Sequence, residues 1–342
     1  MGLQIAEIIP RKEIKMIDLK DKIISVDAFN TLYQFLSTVR QADGTPLMDS
    51  KKRITSHLSG LFYRNMSLLQ QGLKLVYVFD GIPPELKGKT HVLRGEIRDA
   101  RKEKFEKAKM DEDVESMKKY SSLMIRLNDE MIEESKELLE AMGIAVVQAP
   151  SEGEAQAAYL AKTKCYASAS QDYDSLLFGA PKLIQNLTLA RKRKTVSGWQ
   201  EIYPEMIELE KVLNFLQINH EQLICLGILI GTDYNPGGIK GIGPKKALSL
   251  VKQYKQPALI FESVQEQIAQ QENKFDWQEI FHLFKRPQVN DFEIKFSSFD
   301  EKKIKEILVD RHEFSEDRLK SQFEKMREFL ETKKQAGLDK FF

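Results

Sequence analysis

Cysteine is almost missing from this chain of 342 residues, which has only Cys165 and Cys225, each inside an apolar stretch. Two such thiols exclude a disulfide framework and a cysteine-built zinc site, and they suit a reducing compartment and a place in the core. Long hydrophobic runs are missing too. Nothing approaches the ~20 residues that cross a bilayer, and Met1-Gly-Leu-Gln-Ile5 lacks the charged-then-apolar layout of a secretory leader. An intracellular protein without a membrane partner is expected. Histidine is thin, with His57, His91, His220, His282 and His312 scattered at no ligand spacing. With no Gly-rich Walker loop, no Gly-x-Ser-x-Gly elbow and no His-Glu-x-x-His, common nucleotide-hydrolase and zinc-hydrolase classes drop out. An excess of either charge is lacking as well: 52 basic residues face 51 acidic ones, a net +1. Any nucleic-acid surface must therefore come from local segregation of charge.

What is present is enough apolar material, 42% of residues, to bury a sizeable core in one large α/β domain or two ordinary ones. Short β-branched runs at Ile23–Val26, Leu75–Phe79, Ile144–Val147 and Cys165–Ala169 alternate with amphipathic stretches. His57–Gln71 places Leu58, Leu61, Phe62, Met66 and Leu69 on one helical face, and Asp129–Met142 does the same with Met131, Ile132, Leu138 and Leu139. The alternation predicts an α/β fold, a mostly parallel central sheet flanked by helices.

Between the second and third runs lies a charged insertion, from Pro83 to about Leu127, too poor in large apolar residues for the core. Glu103 with Lys107 and Glu115 with Lys119 suit a solvated helical excursion, yet the segment starts directly after Asp80. From about Gln222 the chain turns helical around a Gly/Pro-rich stretch, Gly231 to Ala247. Pro244 fits a first helical position, and the glycines before it leave backbone N–H groups open to a phosphate. The last residues, from Glu331, end in Phe341 and Phe342 and are expected to be a tail.

Asp27 and Asp80 each end a predicted strand, and ligands of open parallel sheets sit beyond those ends. Asp172 and Asp174 follow the run around Ala167 and share a face if the extended conformation persists. Pro150-Ser-Glu-Gly-Glu154 opens a helix. Here Ser151 with Glu154 can be a capping box and Glu152 can favour the positive helix end, or both acids can be ligands. Asp233 is either a turn acid or a member of the same set. Seven carboxylates (Asp27, Asp80, Glu152, Glu154, Asp172, Asp174, Asp233) meeting without adjacent Lys or Arg require cations. Hard oxygen donors suit Mg²⁺ or Mn²⁺, and two such ions roughly 4 Å apart clamp an in-line phosphoryl displacement. That chemistry is phosphodiester hydrolysis.

At this point the sequence resembles the flap endonuclease family of the 5′ nuclease superfamily. The resemblance spans nearly the whole chain, in order: Met1-Gly-Leu3, Val26-Asp-Ala28, Tyr33-Gln-Phe-Leu36, Thr55-Ser-His-Leu58, Tyr77-Val-Phe-Asp-Gly81 with Pro83-Pro84, Ala149 to Ala155, Asp172-Tyr-Asp174, Gly231-Thr-Asp233 and Gly241-Ile-Gly-Pro-Lys-Lys-Ala247. It implies a 5′ nuclease domain over 1–330, with the insertion at about 83–127 as a helical arch and 222–255 as a helix-two-turn-helix element. One metal site is implied at Asp27, Asp80, Glu152 and Glu154, and another at Asp172, Asp174 and Asp233. With two Mg²⁺, Mn²⁺ as substitute, the resemblance implies a 5′-flap DNA endonuclease with 5′–3′ exonuclease side activity. Lys87 and Arg94 are implied at the scissile phosphate, Tyr33 on a base near the cut, and Gly2, Arg40, Gly241, Gly243, Lys245 and Lys246 as further DNA contacts. Carbonyls near Gly238, Ile239 and Ile242 are implied K⁺ ligands. In the flexible tail 331–342, Gln335, Leu338, Phe341 and Phe342 resemble a peptide that docks on a sliding clamp, proliferating cell nuclear antigen.

The resemblance thus implies a monomer that takes branched DNA with a 5′ flap, in the cytoplasm or nucleoid of an archaeon, or the nucleus if the source is eukaryotic. Gln171 departs from relatives that carry an acid there. A ribonuclease with a similar crevice, or a non-catalytic clamp-binding DNA protein, are the rival readings.

Overall fold

The computed structural model describes residues 3–41, 43–84, 86, 127–189, 192–195, 198–271 and 275–338. Strand β1 (Lys12–Glu13) leads into β2 (Ile23–Asp27), whose Ile-Ile-Ser-Val run is buried from its second residue. Helix α1 (Ala28–Thr38) follows at once, then α2 (Ser56–Leu69) and β3 (Lys74–Phe79). Leu75 to Phe79 are all buried, the continuous apolar run of a strand covered on both faces. Helix α3 (Asp129–Ala141) is capped by the Asn128 side chain, which accepts the Met131 N–H at 2.8 Å.

Strand β4 (Ala145–Gln148), helix α4 (Gly153–Thr163), strand β5 (Ala167–Ala169) and the short α5 (Asp174–Leu177) come next. β5 is shorter than the run from Cys165 suggested, because the Cys165 N–H still serves the end of α4, donating to the Leu160 carbonyl at 2.7 Å. Strand β6 (Lys182–Gln185) precedes a two-stranded hairpin, β7 (Lys192–Thr195) and β8 (Gly198–Glu201), and β9 (Glu205–Glu208).

The main sheet has the order β1-β9-β6-β5-β2-β3-β4. Its five strands from β6 to β4 are parallel, and β9 and β1 extend it antiparallel. Helices cover both faces. Leu32 and Phe35 of α1, Leu58 to Met66 of α2 and Leu138 of α3 pack over one side. The other side carries α4, α5, α6 (Leu209–Leu216), α7 (His220–Ile230) and α8 (Pro244–Tyr254). Leu223 to Leu229 of α7 are buried all round, a helix at the centre of its half of the core. The small helices α9 (Pro257–Glu262), α10 (Gln265–Ala269) and α11 (Trp277–Lys285) lie beyond it. Helix α12 (Glu301–Lys305) runs into a π-helical turn at Glu306–Arg311 before α13 (Glu316–Leu338). α13 continues past residue 331, where a tail was expected to begin.

Both cysteines are buried thiols, their pKa values pushed up by burial to about 11 at Cys165 and about 12 at Cys225. They are inert packing residues. No helix among the described residues is long and apolar enough to cross a membrane.

Candidate active site

Asp27 is both the last residue of β2 and the N-cap of α1, with its Oδ1 accepting the Asn30 N–H at 3.0 Å. The first turn of the helix thereby holds a carboxylate at the C-terminal edge of the sheet. Asp80 follows β3, and its Oδ1 accepts the N–H of Gly153, the first residue of α4, at 2.6 Å. A carboxylate from one strand thus serves the helix that follows the next. A side chain at 153 would disturb it, since a Cβ there would lie 2.6 Å from that same Oδ1 and 3.1 Å from the Val78 carbonyl oxygen.

The capping box open to Ser151 and Glu154 does not form. Glu152 is the N-cap and its side chain makes no cap hydrogen bond. Glu154 reaches across to α5 instead, where its Oε1 accepts the Ser175 N–H and hydroxyl, both at 2.9 Å. Asp80 has taken over one of the exposed N–H groups at the start of α4, and Glu154 satisfies one at the start of α5. Asp172 and Asp174 do not share an extended face, because β5 ends at Ala169 and Asp174 already opens α5. Asp172 is half-buried and accepts the Asn30 Nδ2–H at 2.9 Å, while Asp174 is buried. Asp233 is half-buried in the turn after α7. That turn is pinned by Asn235, which accepts from the Thr232 N–H at 3.1 Å and hydroxyl at 2.8 Å and donates to the Ile228 carbonyl at 2.7 Å.

Two groups report how close the acids lie. Burial first, then the charges of Asp174, Asp27 and Asp172, push the Glu154 carboxyl well above the ordinary range, against the pull of its Ser175 hydrogen bond. The buried Tyr234 hydroxyl is pushed up by burial and then by Glu152, Asp174, Glu154 and Asp233. Through these neighbours, and through Gly153 for Asp80, the seven acids belong to one region at the C-terminal edge of the sheet. Among the described residues no three of them stand as a ready-made metal cage. The donor chemistry fits hard divalent ions: several carboxylate oxygens, four of the side chains held by fixed donors, under a negative potential that a cation would relieve.

Sequence reasoning missed the supporting residues Asn30, Ser175 and Tyr234. Asn30 had a signal, a polar amide three residues after Asp27 in the first turn of an amphipathic helix. The other two make contacts between distant segments that no spacing encodes.

Among the expected DNA contacts, Tyr33 is 46% exposed on α1. Arg40 closes the C-terminal end of α1, donating to the carbonyl oxygens of Leu36 at 2.9 Å, Ser37 at 3.0 Å and Gly44 at 2.6 Å. Gly243 caps α8 and Pro244 is its first residue. A Cβ on Gly241 or Gly243 would meet nothing within 4 Å, and Lys245 and Lys246 are exposed in the same turn. The Gly238 carbonyl accepts the Gln271 Nε2–H at 2.9 Å, and that of Ile239 accepts the Ile242 N–H at 3.0 Å. Gln335 is exposed on the last turns of α13, and Leu338 ends that helix. Gly2, Lys87, Arg94, Phe341, Phe342 and most of the 83–127 insertion lie outside the described residues.

Residues 3–117 match the XPG N-terminal domain and residues 143–233 the XPG I-region. Over 346 aligned residues the chain is 51% identical to flap endonuclease 1 of Thermococcus onnurineus, covering 100% of this chain and 99% of that one. The chain belongs to the flap endonuclease family. A solved structure of flap endonuclease-1 from Methanococcus jannaschii matches this flap endonuclease at a TM-score of 0.76 and 39% identity, over 97% of this chain and 100% of that one. The catalytic core of Rad2 in complex with DNA substrate shares the fold, with a TM-score of 0.67 at 23% identity over 93% of this chain and 96% of that one. The protein is a structure-specific flap endonuclease, a metal-dependent phosphodiester hydrolase of archaeal type.

Proposed function

We propose that this flap endonuclease binds Mg²⁺, with Mn²⁺ as substitute, at two places. Asp27, Asp80, Glu152 and Glu154 would hold one ion, and Asp172, Asp174 and Asp233 the other. The observation that supports this most is the Glu154 carboxyl, driven toward its neutral form by burial first and then by the charges of Asp174, Asp27 and Asp172. Ions held there would make hydroxide available from water at neutral pH and would set positive charge against the phosphate. The work of the side chains is positional. Asp27, Asp80, Glu154 and Asp172 are each oriented by a donor fixed in the fold, which limits the ways each carboxylate can turn.

The remaining roles are read from exposure and charge at Tyr33 and the turn before α8, and from the family resemblance elsewhere. The ring of Tyr33 offers a stacking face to a base near the cut, whatever its sequence. The turn before α8, open at Gly241 and Gly243 and flanked by Lys245 and Lys246, takes phosphates of one duplex strand, with K⁺ bound by carbonyls of the same turn. Arg40, whose guanidinium is committed to backbone carbonyls, reaches DNA only through the segment it braces. Lys87 and Arg94 act on the scissile phosphate, Gly2 contacts DNA, and Gln335, Leu338, Phe341 and Phe342 dock on the clamp. The enzyme acts as a monomer inside the cell. It cuts 5′ flaps near the junction, leaves a 5′-phosphate, trims nicks as a side reaction, and serves Okazaki fragment maturation and DNA repair.

Cleavage of a labelled 5′-flap duplex in Mg²⁺ tests the core of this proposal, comparing wild type, Asp174→Ala and EDTA with single-stranded and fully paired controls. Only wild type with metal is expected to cut, close to the junction. Binding without cutting by the wild type, or full activity of Asp174→Ala, would sink it.

A further inference from the structure

Asn30 is half-buried in the first turn of α1 and is hydrogen-bonded to two of the acids and to the residue before one of them. Its backbone N–H donates to Asp27 Oδ1 at 3.0 Å, its Nδ2–H to Asp172 Oδ2 at 2.9 Å, and its Oδ1 accepts the Gln171 N–H at 3.1 Å. The far side of this bridge is braced in turn, because the Gln171 carbonyl accepts the Gln185 Nε2–H at 2.7 Å from the end of β6. The orientation of the Asn30 amide is not ambiguous. Turned over, it would set its NH₂ against the Gln171 N–H and its carbonyl oxygen against a carboxylate, donor on donor and acceptor on acceptor.

Asp27 and Asp172 belong to the two different cation groups proposed above, and 142 residues separate Asn30 from Asp172 in the chain. We propose that Asn30 is a positioning residue that couples the two groups, one side chain fixing the Asp172 carboxylate relative to the Asp27 cap and so setting how the two ions stand to each other. This inference rests on the two-cation proposal. A neutral amide is well suited to such a bridge, since it donates to one carboxylate through its side chain and to the other through its backbone, and adds no charge to a region already strongly negative. Aspartate at this position would keep the acceptor for Gln171 but replace the donor to Asp172 with a repelling carboxylate. Leucine would remove both side-chain bonds at similar size.

The test uses the full-length protein, wild type against Asn30→Leu and Asn30→Asp, with Mn²⁺ binding followed by calorimetry and by electron paramagnetic resonance, alongside flap cleavage over a range of Mg²⁺. Thermal melting in EDTA reports the fold separately. Both variants are expected to fold in EDTA, Asn30→Asp melting lower because its added carboxylate repels its neighbours, and to bind Mn²⁺ about ten- to a hundredfold more weakly in at least one of two sites. Their kcat should fall at low Mg²⁺ and recover in part at high Mg²⁺, while KM for flap DNA stays within about twofold. A merely structural Asn30 would lower melting in EDTA and leave the Mn²⁺ affinities of the folded protein unchanged, which overturns the inference. If Asn30→Leu does not fold, Asn30→Asp decides by the same readings. Wild type that binds fewer than two Mn²⁺ fails the two-cation proposal itself; wild type that binds two, with variants indistinguishable from it, fails the Asn30 inference alone.

Discussion

A carboxyl group buried among other carboxylates is destabilised in its charged form, and Glu154 is in that position beside Asp174, Asp27 and Asp172. Its pKa in the folded protein lies above the ordinary 4.5, so without metal its contribution to stability is full below about pH 4.5 and is lost as pH rises through the folded value. Glu154→Gln keeps an oxygen for the Ser175 donors and removes the charge. Melting in EDTA should therefore find the variant more stable than wild type by a margin that opens above pH 4.5, and the margin should shrink or reverse in Mg²⁺. Identical pH profiles in EDTA would remove the basis for a repelling cluster. Gly153→Ala tests the neighbouring device, the Cβ that would sit 2.6 Å from Asp80 Oδ1. It is expected to displace that carboxylate, lower kcat at least tenfold, and cost about 1–3 kcal/mol in denaturant melts. Normal kcat with an intact fold would show that Asp80 need not hold its place. All seven acids were legible as residues in the sequence. The partner of Glu154 was not, because Ser151-x-x-Glu154 also satisfies a local capping pattern and the competing donor–acceptor pair, Gly153 with Asp80, joins residues 73 apart.

At the scale of elements, the segment between α1 and α2 is tied to α3 and to the C-terminal region by buried charge. The His312 ring has its Nδ1 3.3 Å from Asp49 Oδ2 and its Nε2 2.9 Å from Glu134 Oε1, with the imidazole almost wholly buried. Arg53 Nε donates to the same Asp49 carboxylate at 2.7 Å. The residue before His312, Arg311, makes two hydrogen bonds to Glu137, at 2.6 and 3.0 Å. Replacing His312 by Leu leaves Asp49 to Arg53 alone and the half-buried Glu134 without its ring partner, and about 1–3 kcal/mol of stability should be lost. Denaturant unfolding measures it; a loss under about 1 kcal/mol would mean that water or a rearranged arginine replaces the ring. None of this was visible in the sequence, where His312 had no ligand spacing. The elements themselves were unevenly legible for a physical reason. β2 and β3 lie inside the parallel sheet as apolar runs, whereas β6 and β9 are four residues long and begin or end in charged residues, and β1 is only Lys12–Glu13. Strands at or near an edge need no apolar run to be held, because their partner supplies the ladder.

Across the whole molecule, a net charge of +1 forces DNA binding to be local. The acids gather at the strand ends, and a turn open to a phosphate, before α8, carries Lys245 and Lys246. Hydrolysis and duplex grip should then be separable by mutation. Gly243 has φ −90°, a value any residue adopts, and a Cβ there meets no atom of the protein. Gly243→Ala should therefore shift stability by less than about 1 kcal/mol, the poorer N-cap being offset by the lower entropy of the unfolded chain. If a phosphate approaches that face, the added methyl instead raises KM for flap DNA several-fold at unchanged kcat. Lys246→Ala removes a charge from the same turn. It should raise KM too, and lower the slope of log affinity against log salt by about 1 if one phosphate contact is lost. Both effects are read from binding and steady-state cleavage of one flap substrate at several salt concentrations. Should Gly243→Ala bind and cut as wild type does, the phosphates pass elsewhere and the openness of the turn has no part in recognition. Should either variant lower kcat at saturating DNA, grip and hydrolysis are coupled through the position of the scissile phosphate, and the duplex contact belongs to the chemistry as well as to the binding.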